Sequence, residues 1–141
     1  FYEIINSEHE DVVESIKAMT DGTGVDYCIE GTGASKPLGQ ALMACKAEGV
    51  VLTMGNPQGD IELSQQEYWA ILRKQLQLRG TWNSSHNDYI DDWKSAIQGL
   101  YDNTIQGVPL ITHRYQFSDY QVAFEKMRQR TEHVCKVMFI N

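Results

Sequence analysis

The run Val50-Val51-Leu52-Thr53-Met54 is made of apolar and β-branched residues, with no charged residue to mark a solvent-facing side. A strand of that kind fits a position covered on both faces, the usual situation in a parallel sheet, and parallel strands need long crossovers between them. The flanking sequence supplies such crossovers. Residues 1–6 are strand-like, and Ser7-Glu8-His9-Glu10 reads as a capping box opening a helix whose apolar face is Val12, Val13, Ile16 and Met19. A strand is expected over residues 25–30 and a helix over 36–46, stopped by Glu48-Gly49. Ser64-Gln65-Gln66-Glu67 opens another helix, and residues 76–81 alternate as a further strand. Strands and helices in this order predict an α/β fold, a doubly wound parallel sheet with right-handed crossovers.

The texture changes after Trp82. Asn83-Ser84-Ser85-His86-Asn87-Asp88 is polar and loop-like, and a helix is expected over 89–101 with Trp93, Ile97 and Leu100 inward. Residues 111–117 read as extended, Ser118-Asp119-Tyr120-Gln121 as the cap of a last helix, and 134–140 as a final strand. The chain opens on Phe1-Tyr2-Glu3, inside an extended apolar pattern, which reads as a piece of a longer polypeptide.

In a doubly wound sheet, ligands sit beyond the carboxyl ends of the strands. Three of those ends carry glycine: Glu30-Gly31-Thr32-Gly33, Met54-Gly55-Asn56-Pro57 and Arg79-Gly80-Thr81-Trp82. Glycine there permits a positive φ or a close backbone approach, so the three together point to a cofactor-lined edge. The first of them resembles the dinucleotide fingerprint G-x-G-x-x-G but departs from it twice. Lys36 stands where the third glycine should let helix and strand pack closely, and Thr53-Met54-Gly55-Asn56 offers no acid for a ribose. It is therefore expected to be a later turn of the same kind of fold, not the loop that holds the pyrophosphate.

Composition excludes several other functions. A formal charge of -7, spread along 141 residues, repels phosphate backbones and argues against nucleic acid as a partner. No apolar run approaches a bilayer span and the first residues do not resemble a signal peptide, so a cytoplasmic location is expected. Cys28, Cys45 and Cys135 are far apart, each within an apolar stretch, and read as buried thiols. His9, His86, His113 and His133 lack metal-ligand spacing and read as solvated or structural, as do Glu125, Arg128 and Arg130 on the last helix. Neither a G-x-S-x-G elbow nor a Walker loop is present.

The ordered set VDYCIEGTG, GVVLTMGNP, LQLRGTWNSS, PLITHRYQFSDYQVAFEKM and KVMFIN resembles the carboxyl-terminal portion of the zinc-containing medium-chain dehydrogenases across the whole chain. Within that family, RGTWNSS is most similar to the branch acting on polyols and sugar-alcohol phosphates, sorbitol and galactitol 1-phosphate among them. The resemblance implies that residues 1–81 are the later portion of a Rossmann-type NAD-binding domain. Residues 82–141 would return to complete a catalytic domain. It implies that Gly31, Thr32 and Gly33 line the adenosine side of NAD, while Met54, Gly55 and Asn56 approach the nicotinamide. Backbone groups of Gly80, Thr81 and Trp82 would hold the carboxamide, Lys136 would lie near the pyrophosphate, and Trp82 and Asn83 would pass the substrate.

In the family, zinc polarises the alcohol and a hydride passes to the nicotinamide. No counterpart of the zinc ligands or the proton relay is found here, so zinc is expected only through residues outside this sequence. The 141-residue chain alone is expected to be inactive and to bind NAD weakly. A homodimer or tetramer is expected through strand 76–81. The competing reading from the residues is a non-catalytic α/β module for binding or assembly.

Overall fold

The computed structural model describes residues 3–141. Its contacts divide the chain into two units, Phe1–Asn83 and Ser84–Asn141. The first contains helix α1 (Val12–Met19), strand β1 (Val25–Glu30), α2 (Ser35–Ala44), β2 (Cys45–Thr53), α3 (Gln65–Arg73) and β3 (Gln77–Gly80). The second contains α4 (Asp92–Tyr101), β4 (Ile111–Gln116), α5 (Tyr120–Gln129) and β5 (Lys136–Ile140). Among the described residues, no helix is long and apolar enough to cross a membrane.

In the first unit β1, β2 and β3 lie side by side in that order and are all parallel, which is the α/β arrangement of a partial Rossmann-type sheet. Cys28, Val51 and Leu78 are in register across the three strands. Val51 packs with Leu42 and Cys45 and with Ala70 of α3 to form the core, with Cys28, Leu38, Ala41 and Leu76 around it. The alternate register row ends differently, since Tyr27 and Ile29 are exposed and Val50 and Leu52 only half-buried. The apolar run at 50–54 is thus covered on one face instead of two, because α2 packs against both α1 and α3 on the side of Val51.

Several element boundaries differ from expectation for identifiable local reasons. The strand expected over residues 1–6 lies partly outside the described residues, and residues 3–6 are not in a strand. The box at Ser7 does not form. Asn6, just before it, takes over the role, its N–H donating to Glu10 Oε1 at 3.1 Å. The helix itself starts at Val12, where Asp11 Oδ1 accepts from the N–H groups of Val13 and Glu14 at 2.9 and 3.0 Å. The second helix stops at Ala44, two residues early. Lys74 ends it, donating from Nζ to the carbonyls of Leu42, Met43 and Cys45 at 3.2, 2.8 and 2.8 Å. Those acceptors are the orphan carbonyls of a helix end, and burial pushes the Lys74 amine below its ordinary pKa. Strand β2 then begins at Cys45, not Val50, with a shift of register before Val50 and Glu48 at φ +61°. The capping box at Ser64 forms as expected, Ser64 Oγ accepting from Glu67 N–H at 3.3 Å and Glu67 Oε2 from Ser64 N–H at 2.6 Å.

In the second unit β4 and β5 are parallel. Asn87 Oδ1 accepts from the N–H groups of Tyr89 and Ile90, closing a turn that keeps α4 from starting before Asp92. Trp93, Ile97 and Leu100 are exposed rather than inward, because α4 packs through Gly99, where a Cβ would lie 2.7 Å from Ile105 Cδ1. No side chain caps α5, since Ser118 Oγ donates to Asp119 Oδ1 and residues 117–119 form a turn of 3-10 helix. Cys135 is exposed, in contrast to Cys28 and Cys45. It precedes β5, where its N–H donates to Thr112 Oγ1 at 3.1 Å.

Candidate cofactor-binding site

Three parallel strands must end on the same side of the sheet, so the turns that follow β1, β2 and β3 are neighbours by construction. Register pairs Glu30 with Thr53 and Thr53 with Gly80 at the three strand ends. The glycines of these turns fall into two kinds. Gly33 has φ +71°, and a Cβ on it would lie 2.5 Å from the Asn56 carbonyl oxygen. A Cβ on Gly55 would run into the backbone N of Gly33 and lie 2.7 Å from the Thr32 carbonyl carbon. These two are glycine because the 31–33 and 54–57 turns touch backbone to backbone. Gly31 and Gly80 are otherwise. An added Cβ there meets only Met54 Cγ at 4.0 Å or Thr53 Oγ1 at 3.9 Å, ordinary contact distances, and both residues are exposed.

Glu30 organises the first turn. It is a carboxylate only 5% exposed, held at the end of an apolar strand. Its Oε1 accepts from Thr32 N–H at 2.6 Å, Thr32 Oγ1–H at 2.6 Å and Gly33 N–H at 2.9 Å. Burial pushes the Glu30 carboxyl up, but the hydrogen bonds from Thr32, Gly33 and Ala34 outweigh it and leave the pKa below its ordinary value. The amides of this turn, which elsewhere would form an anion site, are already occupied by the protein's own carboxylate.

The second turn hangs from the same residue, as the N–H groups of Met54 and Gly55 donate to the Glu30 carbonyl at 2.9 and 3.1 Å. The third is tied on by Thr81 N–H, which donates to the Thr53 carbonyl at 3.0 Å. Thr81 N–H is therefore not free for a ligand, whereas among the described residues Trp82 N–H has no hydrogen-bond partner. Met54 and Trp82 are exposed along this edge, and Asn83 follows with φ +45°. Lys136 is exposed at the start of β5 in the second unit, its carbonyl accepting from Thr112 Oγ1 at 3.2 Å.

The structure thus gathers Gly31, Thr32, Gly33, Met54, Gly55, Asn56, Gly80, Thr81 and Trp82 of the first unit into one rim. Sequence reading overlooked Glu30, although a signal was present: an acid closing an apolar strand two residues before a threonine and three before a glycine. Among the described residues, no group of three or more His, Cys, Asp or Glu side chains could hold a metal ion. Cys28 is unsuited as well, its thiol pushed up to about 12, chiefly by burial.

The family model described as zinc-binding dehydrogenase matches residues 1–100. Among curated proteins, the L-threonine 3-dehydrogenase of Pyrococcus horikoshii is 33% identical over 126 residues, covering 89% of this chain and 35% of that protein. Among solved structures, galactitol-1-phosphate dehydrogenase from Escherichia coli shares the fold with a TM-score of 0.83 at 22% identity, over 96% of this chain and 39% of that one. An alcohol dehydrogenase from Escherichia coli CFT073 complexed with the cofactor NADH has a TM-score of 0.77 at 22% identity, over 97% of this chain and 38% of that one. The chain spans about a third of the length of the curated relatives it matches, 35% in the case of the threonine dehydrogenase.

Proposed function

The chain belongs to the zinc-binding dehydrogenases, and from that premise we propose that it is a segment of an NAD-dependent dehydrogenase oxidising a polyol or sugar-alcohol phosphate. The observation that carries this reading is the rim of three adjacent strand ends with Gly31 and Gly80 bare where packing does not require it. Open α/β sheets receive ligands at such an edge. Gly31, Thr32 and Gly33 would flank the adenosine end, and Met54, Gly55 and Asn56 the nicotinamide. The Trp82 N–H is the donor left for the carboxamide. Bound there, the nicotinamide would supply a hydride acceptor. The contribution of these residues is to bind it, fix its orientation and shield one side of it from water.

The substrate class is supported by the run Arg79-Gly80-Thr81-Trp82-Asn83-Ser84-Ser85, which resembles the polyol and sugar-alcohol phosphate branch of the family. Trp82 and Asn83 would face the substrate. Among the described residues no group of His, Cys, Asp or Glu side chains fits a zinc site, so in a longer polypeptide of the family the ligands would come from outside residues 1–141. Residues 1–81 would then belong to the cofactor domain and 82–141 to the catalytic one, in a cytoplasmic enzyme.

The test is a pair of preparations. The 141-residue chain is expected to carry no stoichiometric zinc and to turn over neither sorbitol nor galactitol 1-phosphate with NAD. The full-length polypeptide containing it is expected to oxidise one of them and to lose activity on chelation. A full-length enzyme indifferent to chelators, or one zinc per chain in the short preparation, would overturn the reading.

Assembly belongs to the same proposal. Strand β3 ends the sheet order and all four of its residues are exposed, so its edge can pair antiparallel with a second copy to give a dimer or tetramer. Leu78→Pro is expected to favour monomers. Light scattering that finds the unmodified chain monomeric at roughly tens of micromolar would refute this.

A further inference from the structure

We propose that Glu30 is a positioning residue that locks the two turns at 31–33 and 54–57 into one rigid rim, so that the adenosine side and the nicotinamide side of the site cannot move independently. The inference rests on the cofactor reading of that rim. Its first support is the number of bonds converging on one residue. The carboxylate accepts from Thr32 N–H, Thr32 Oγ1–H and Gly33 N–H, while the carbonyl of the same residue accepts from Met54 N–H and Gly55 N–H. The side chain shapes the first turn and the main chain suspends the second.

The second support is steric. Gly33 stands at φ +71° with its Cβ position against Asn56 and Pro57, and the Cβ position of Gly55 is against Gly33 and Thr32. Neither turn can change its backbone without displacing the other. The conformation imposed on the first by the carboxylate is therefore transmitted to the second by contact, with no side chain between them. A charge-assisted set of bonds in a buried setting is strong enough for this, since each is worth about twice a neutral one. It also accounts for a carboxylate held at 5% exposure: its charge is spread over turn amides and the Thr32 hydroxyl.

The test is amide hydrogen exchange by NMR on the full 141-residue chain, compared with Glu30→Gln. Gln keeps the shape but removes the charge and brings an amide N–H₂ that has no acceptor in the turn. Exchange at Thr32, Gly33, Met54 and Gly55 is expected to accelerate together by about tenfold or more, with Val51 and Leu52 unchanged. Thr32→Val, which removes the hydroxyl that donates to Glu30 and accepts from Ala34 N–H but leaves Glu30 in place, is expected to accelerate the same four amides by less, and carries the test if Glu30→Gln does not fold. Acceleration confined to Thr32 and Gly33 in either variant would overturn the proposal, leaving Glu30 as a local turn former. NADH at millimolar concentration separates this from the cofactor reading. It is expected to shift Gly31, Gly33 and Gly55 resonances in the unmodified chain and to bind about tenfold more weakly to Glu30→Gln. Coupled exchange without any NADH-induced shift would refute the cofactor site and leave the lock intact.

Discussion

Residues Phe1–Asn83 and Ser84–Asn141 differ in what they bury. The first unit takes Leu42, Val51 and Cys45 to 1% exposure or less and adds Ala70 to the same cluster. In the second, only Gly99 and Ala123 are buried, and Trp93, Ile97, Leu100, Tyr101, Phe117 and Phe124 are all more than half exposed. Aromatic contacts are present there, with Phe117 and Phe139 edge to face at 5.8 Å between centroids, but they lie over an open sheet of two strands. Three crossed-over parallel strands enclose a volume against their helices, whereas two strands and two short helices expose most of the apolar surface they carry. Burial is what offsets chain entropy, so the first unit is the stable body and the second the one that opens first.

The sharpest way to break that comparison is a cavity in the first unit. Leu42→Ala removes a fully buried side chain from the centre of the cluster and is expected to cost about 2–5 kcal/mol, read as a lowered midpoint in urea. Phe117→Ala in the second unit, a residue 70% exposed, should shift it far less. Equal losses would show that the second unit has a core of its own. Next in size is Lys74→Met. The three carbonyls at the end of α2 lose their donor, and a loss of roughly 1–3 kcal/mol is expected in the same assay, confined to the first unit.

Acid should give the smallest effect and sharpen the comparison by chemistry. The Glu30 carboxyl has a folded pKa below its ordinary value, so its contribution is fully present above the unfolded pKa and is lost as pH falls through the lower folded one. In the second unit Glu132 is also lowered, first by its hydrogen bond with Lys126 and then by His113, but it is half exposed and screened. On acidification below the ordinary carboxylate range, added salt is expected to change the behaviour of the second unit and leave that of the first as it was. Amide exchange at Gly33 and at Cys135 reports the two separately, and identical salt dependence at both would refute the distinction.

What the sequence determined is the set of features fixed within a few residues or by period. The alternation of strands and helices, the parallel direction of β1 to β3, the box at Ser64 and the three glycine-bearing strand ends were legible, because each depends on local hydrogen bonding or on side-chain periodicity. Tertiary structure decided whatever depends on partners far away in the chain. Lys74, thirty-odd residues downstream, sets where α2 ends. The helices on one side of the sheet decide that residues 50–54 are covered once and not twice. The division of labour among the glycines was equally invisible. Gly33 and Gly55 are reserved by contact between two turns that only the parallel register brings together, and the charge that shapes one of them, on Glu30, has meaning only once burial has removed water from around it.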